Sequence, residues 1–196
     1  FPDVYHAPLY FDELYGDLRI DWDPTAVRLH SGLLTARGDE GTNKVLFALN
    51  VPLQESDNGI EMDLLVGLRD SHTRYRGKFI PYILDPSLQA WLEQSIGDGL
   101  IEQGAFLWRG SLRSGAEPLR TVQLGFNVQD TKMTYHPEWP PVLVQDGVVL
   151  VNDSAVSVWA SRARLFDSDV RRLSVETRVD ARDHITLDVS GSLRGP

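Results

Sequence analysis

Apolar and polar residues alternate along almost the whole chain, and this alternation limits the possible folds more than any other feature. Leu18, Ile20 and Trp22 are separated by Arg19 and Asp21, and Val45, Phe47, Leu49 and Val51 are spaced by two. The same spacing recurs in Ile60, Met62, Leu64, Val66 and Leu68, in Val122, Leu124, Phe126 and Val128, and in Ile185, Leu187 and Val189. A period of two sends alternate side chains to opposite faces of a strand. The chain therefore reads as mostly β, a long run of antiparallel strands that are greasy on one face and wet on the other.

Strands are expected near 12–22, 26–36, 44–53, 59–69, 74–80, 99–112, 119–130, 132–136, 142–151, 155–165, 170–179 and 184–193. Turn chemistry separates them, as in Asp23-Pro24, Asp39-Glu40-Gly41, Ser56-Asp57-Asn58-Gly59, Arg113-Ser114-Gly115, Asn152-Asp153-Ser154 and Asp167-Ser168. The connections are short, so consecutive strands should pair as a meander. One segment breaks the period. Asp85-Pro86 fits a helix N-cap followed by proline at the first helical position. Leu88, Trp91, Leu92 and Ile96 follow at helical spacing, and Gly97 fits the position just past a helix end. The spacing predicts one short amphipathic helix over 86–96, a plug against the sheet.

On this reading residues 1–70 form a first meander unit, 71–118 a connector holding the helix and a strand, and 119–196 a second unit, all in one continuous sheet. A start at Phe1 leads to the expectation that the chain is part of a larger protein. A weak internal repeat aligns Ile20-x-Trp22-Asp23-x-Thr25-Ala26-Val27-x-Leu29 with Val149-x-Val151-Asn152-x-Ser154-Ala155-Val156-x-Val158. Gly110-Ser111-Leu112-Arg113 also recurs as Gly191-Ser192-Leu193-Arg194. The two offsets differ, which fits a repeated strand–turn–strand element better than a strict array.

Composition removes several function classes. The 196 residues include no cysteine, which excludes thiolate metal sites, disulfides and a cysteine nucleophile. A net charge of −9, without a basic run to offset it, argues against nucleic acid and anionic lipid surfaces as partners. The five histidines are scattered and show no metal-ligand spacing. Asp180-x-x-Asp183-His184 reads as a charged turn, and Asp21 with Asp23 as the wet side of a strand rather than a glycosidase pair. There is no nucleophile elbow, and Gly97-Asp98-Gly99 lacks the rest of a dinucleotide loop. The expectation is a non-enzymatic chain without cofactor or metal. Of the five tryptophans, Trp22, Trp108 and Trp159 fall within strands, Trp91 on the helix and Trp139 before Pro140-Pro141. They read as large side chains on an apolar face.

The size of that face is the functional question. Roughly ten strands about 4.8 Å apart, each about 20 Å long, give one face on the order of 900–1,000 Å². Soluble monomers rarely expose apolar patches above a few hundred Å². A three-turn helix covers about 15 Å by 10 Å of it. The sheet must either close into a sandwich or barrel, the commoner solution, or curl into an open groove that holds apolar ligand. The expected lining is Leu18, Ile20 and Trp22, then Val27 and Leu29, then Val45, Phe47 and Leu49, then Met62, Leu64 and Val66. It continues through Phe106 and Trp108, through Val122, Leu124, Phe126 and Val128, and through Val149 and Val151. Val156 and Val158, Leu173 and Val175, and Ile185, Leu187 and Val189 complete it.

Two segments carry a family resemblance. The first is Phe79-Ile80-Pro81-Tyr82-Ile83-Leu84, the helix from Leu88 through Trp91-Leu92 to Ile96, Gly99-Leu100-Ile101, and Phe106-Leu107-Trp108-Arg109-Gly110-Ser111-Leu112. The second is Phe126-Asn127-Val128, then Tyr135-His136-Pro137-Glu138-Trp139-Pro140-Pro141, then Val149-Leu150-Val151-Asn152. In this order they resemble the YhdP family of AsmA-like envelope proteins, over roughly 75–196; the first 70 residues fit as a generic meander. Ser95-Ile96-Gly97-Asp98 and Val144-Gln145-Asp146 are more polar than the family pattern. The resemblance implies a long protein of Gram-negative bacteria, anchored in the inner membrane and crossing the periplasm towards outer-membrane components. Its curled β-sheet would carry phospholipid acyl chains in an apolar groove, on a plan related to TamB and to bridge-like lipid transfer proteins, with this segment monomeric. It favours the open groove over the closed sandwich. The rival functions are a structural spacer with a sandwich core and a carbohydrate-binding β-domain.

Overall fold

In the computed structural model, residues 10–75, 90, 93–134, 138, 140–153, 155–179 and 185–195 are described. The first hairpin is built from β1 (Glu13–Tyr15), β2 (Leu18–Trp22), β3 (Ala26–Ser31) and β4 (Leu34–Gly38). Eight longer strands follow: β5 (Gly41–Pro52), β6 (Glu61–His72), β7 (Leu100–Ser111), β8 (Thr121–Met133), β9 (Val142–Asn152), β10 (Ala155–Leu165), β11 (Ser168–Val179) and β12 (Ile185–Arg194). All twelve strands belong to one sheet in the order β1-β4-β5-β6-β7-β8-β9-β10-β11-β12, with β3 also beside β5 and β2 outside β3. Every pairing is antiparallel, and each long strand pairs with the next in sequence. The two ends of the sheet do not pair with each other, so it is not closed into a barrel.

The first hairpin departs from the uninterrupted strands expected at 12–22 and 26–36. β4 covers the first half of one β5 edge and β3 the second half, with the register changing by one residue between them. At the break the Phe47 N–H donates to the Ser31 hydroxyl at 2.7 Å, and the Gly32 N–H donates to the Asp17 carbonyl at 2.8 Å. The opposite strand turns at Gly16, with φ of 147°, where an added Cβ would lie 2.5 Å from Leu34 Cδ2. Only glycine fits there.

A second irregularity runs across the long strands. Asp70 and Glu102 lie opposite each other but outside the β6–β7 ladder, between the pairs Arg69↔Gln103 and Ser71↔Ile101. Asp130 and Gln145 do the same in β8–β9, and Ser161 and Arg172 in β10–β11. One member of each pair has a left-handed backbone: Asp70 at φ 55°, Asp130 at 45° and Arg172 at 54°. The intervening pairings, β7–β8, β9–β10 and β11–β12, shift register at the same level. Each extra residue bends its strand and reverses the side-chain phase beyond it. Inward positions therefore step by three across this crease, as in Val128 and Thr131, Val144 and Gly147, Ala160 and Ala163, and Val170 and Leu173, all buried.

The crease divides each strand into a longer and a shorter arm. A single apolar cluster joins long-arm residues such as Trp108, Leu124, Val149 and Val156 to short-arm residues such as Met133, Val142, Ala163 and Val170. An uncovered single sheet would leave such side chains half exposed, yet Val149 and Val144 are each 1% exposed. The sheet thus folds its own short arm towards its long arm.

Most of the predicted helix, including Leu88, Trp91 and Leu92, lies outside the described residues, as do the strand expected at 74–80 beyond Tyr75, Trp139, and Asp180 through His184. Residues 93–95 are helical, and Ile96 then pairs with Met133 and is buried in the cluster. Gly97 follows the helix as expected, for a different reason. Its backbone is not left-handed; an added Cβ would lie 2.9 Å from the Lys132 carbonyl, to which the Gly97 N–H donates at 2.7 Å.

Candidate apolar groove

Backbone register places the predicted lining residues on one face. Trp22 faces Val27, which faces Val51; Ile20 faces Leu29, then Leu49, then Met62. Phe47 faces Leu64, then Trp108, then Val122. Two rows run further. One is Val45, Val66, Phe106, Leu124, Val151 and Val156, from β5 to β10, where the Thr177 hydroxyl of β11 bonds the Val156 backbone in place of a ladder pair; Leu187 pairs with Thr177. The other is Leu68, Gly104, Phe126, Val149, Val158, Val175 and Val189, from β6 to β12. Leu18 shares the face by register, opposite Ser31, and Ile185 pairs with Val179 along the backbone.

Exposure along this face is uneven. It is sealed in the middle, where Trp108 is 1% and Val151 2% exposed, and open at both ends, where Trp22 is 75% and Val189 49% exposed. Leu64 and Phe126 are half-buried between these extremes. Sequence alternation missed inward residues beyond the crease, among them Ile101, Met133, Val142, Val144, Ala163 and Val170. A step of three between apolar positions is the signal that marks them. Trp159 belongs to the other face, beside Val148 and Leu150, and is 40% exposed.

The face offers little chemistry. Asn43 is its main polar intrusion, opposite Leu68 and Ala36, with neither amide atom hydrogen-bonded and 1% exposure. The Trp108 indole N–H is also buried without an acceptor, while the Arg120 guanidinium lies 5.5 Å from its ring centroid. Among the described residues, the two groups with clearly shifted protonation lie elsewhere. Asp23 sits in the β2–β3 turn, as Asp23-Pro24 predicts, and not beside Asp21 on the wet side of the strand. The Thr25 hydroxyl, Arg28 and the Thr25 and Ala26 N–H groups hold its carboxyl well below the usual range. Arg109 is raised by its ion pair with Asp63, at 2.8 Å on the opposite face. No three metal-ligating side chains cluster among the described residues.

The longer internal repeat is a real structural equivalence. Ile20↔Leu29 and Trp22↔Val27 in β2–β3 correspond to Val149↔Val158 and Val151↔Val156 in β9–β10. The Gly-Ser-Leu-Arg repeat is not equivalent, because β7 and β12 carry it at opposite ends of antiparallel positions.

No curated protein and no solved structure matches the chain significantly. The family model described as YhdP protein matches residues 1–196, the full length, including the first 70 residues that alternation alone reads as a generic meander. The chain therefore belongs to the YhdP family, whose members are envelope proteins of the AsmA-like type.

Proposed function

We propose that this chain is a segment of a periplasm-spanning lipid transfer protein and that its inward face carries phospholipid acyl chains between the inner and outer membranes. The observation that supports this reading is the unbroken register of the apolar row from β6 to β12. It crosses six strand spacings, about 29 Å at about 4.8 Å each. One leaflet of hydrocarbon is about 15 Å deep, half of a core about 30 Å thick. The row is thus long enough to hold an acyl chain and pass it on without a polar gap. Burial contributes about 0.8 kcal/mol per CH₂, so a chain moves only onto equally apolar surface. The exposed apolar ends of the face meet this need. Catalysis, a cofactor and nucleic acid have no place in this reading; the parent is inner-membrane anchored and this segment monomeric.

Native mass spectrometry of the purified chain tests it. Bound phospholipid, or uptake of a fluorescent phospholipid from vesicles, is the expected result. A protein that stays lipid-free and leaves a hydrophobic dye dark would instead support the structural spacer.

A further inference from the structure

One corner of the molecule carries charge opposite in sign to the whole. The chain is at −9, yet Arg162 and Arg171 sit directly opposite each other on β10 and β11. Arg164 faces Asp169, which faces Arg194 on β12. Strand alternation puts these side chains on the face away from buried Ala163 and Val170. Arg172 is exposed beside them on the crease. Arg164 forms an ion pair with Asp169 at 3.8 Å, whereas Arg162, Arg171 and Arg194 have no ion pair among the described residues. Of the other nearby acids, Asp146 accepts a hydrogen bond from the Ser161 hydroxyl at 2.6 Å, and Asp167 lies in the turn.

Like charges directly opposite in a ladder are destabilising; Asp146 sits across from Arg162 on β9, with its carboxylate engaged by the Ser161 hydroxyl, and Arg171 faces only Arg162 and Ser192. At the hairpin tip Phe166 is 75% exposed, and Leu143, which faces Arg164, is 37% exposed. We propose that this corner docks on a bilayer surface bearing anionic phospholipid. With about 3.3 Å per residue, Arg164 lies about 7 Å and Arg162 about 13 Å behind the Phe166 tip. Headgroup insertion of about 5–10 Å therefore puts the ring at the acyl boundary and the guanidinium groups, on long side chains, among the phosphates. Guanidinium forks match phosphate oxygens in geometry and charge. A flat acidic protein surface would meet the arginines but has no place for a ring projecting from the tip. The patch faces away from the apolar rows, so this docking is independent of what they carry.

Co-sedimentation of the chain with phosphatidylcholine vesicles, with and without phosphatidylglycerol, tests the proposal. Binding should require phosphatidylglycerol and weaken with salt. Each arginine near an anionic surface contributes about fivefold, so Arg162→Gln with Arg171→Gln should weaken binding about 25-fold. Phe166→Ser should also weaken it, while Arg19→Gln, far away on β2, leaves it unchanged. Circular dichroism melts of each variant separate lost binding from lost fold, and Arg172→Gln gives a second charge variant if the double one unfolds. Equal binding by wild type and folded variants would overturn the proposal. So would wild-type binding to polyglutamate without binding to vesicles, which would assign the patch to an acidic protein.

Discussion

Asp70 and Glu102 face each other across β6 and β7 without pairing, and the ladder closes on both sides of them. Two further pairs repeat this arrangement along the sheet, so the bend is set by single residues whose backbone can be tested.

Asp130 holds φ at 45° within β8, three residues before its end. A β-branched residue resists that conformation, so Asp130→Val should cost about 1–3 kcal/mol. Asp130→Gly should be neutral or slightly stabilising, because glycine enters the left-handed region freely. Urea unfolding of the two variants checks the sign of each change.

The inward face should respond to charge according to position. Val151 is 2% exposed and Ile20 57% exposed. Val151→Asp buries an unpaired carboxylate and should cost several kcal/mol or prevent folding. Ile20→Asp should leave the melt nearly unchanged and reduce phospholipid uptake. Leu64→Asp and Phe126→Asp should fall between them. Thermal melts beside the uptake assay separate the two effects.

Asn43 leaves a buried donor and acceptor unmatched, a cost of about 1–3 kcal/mol for such a group. Asn43→Leu keeps the shape and removes the mismatch, so it should raise stability by about 1 kcal/mol. A lower denaturation midpoint would show that the amide serves a partner.

Asp23 gives a pH dependence of defined sign. Its folded pKa lies below the unfolded value of about 3.9, so its contribution is full above that value and fades as pH falls towards the folded pKa. Asp23→Ala should be less stable than wild type at neutral pH. The gap should close as the solution is acidified below about pH 4. Parallel denaturant titrations across that range measure it.

Strands were legible because alternation is a local signal, and it fails where the backbone changes hand. The gap expected between 119–130 and 132–136 is Thr131, which follows the left-handed Asp130 and through which β8 continues. The polar Val144-Gln145-Asp146 segment, which looks like a departure from the family pattern, is the other half of the same bend. Aspartate tolerates this conformation, but also fills ordinary turns, and Arg172 gives no warning at all. Depth was not legible either. Trp22 and Trp108 share a face and a strand setting, yet one is 75% and the other 1% exposed. The Arg120 guanidinium lies 5.5 Å from the Trp108 ring centroid, a contact that strand alternation does not encode.

The crease also works as a key for assembling the sheet. In a long meander of similar strands, a one-residue slip exchanges the faces and is rejected by burial alone. A two-residue slip keeps every greasy side chain inward and costs a plain strand little. Here it would move Asp70 from Glu102 to Leu100 or Gly104, forcing a left-handed residue into the ladder and leaving its counterpart stranded. The bends are thus notches that fit in one alignment, and they let a repetitive chain count its strands into place.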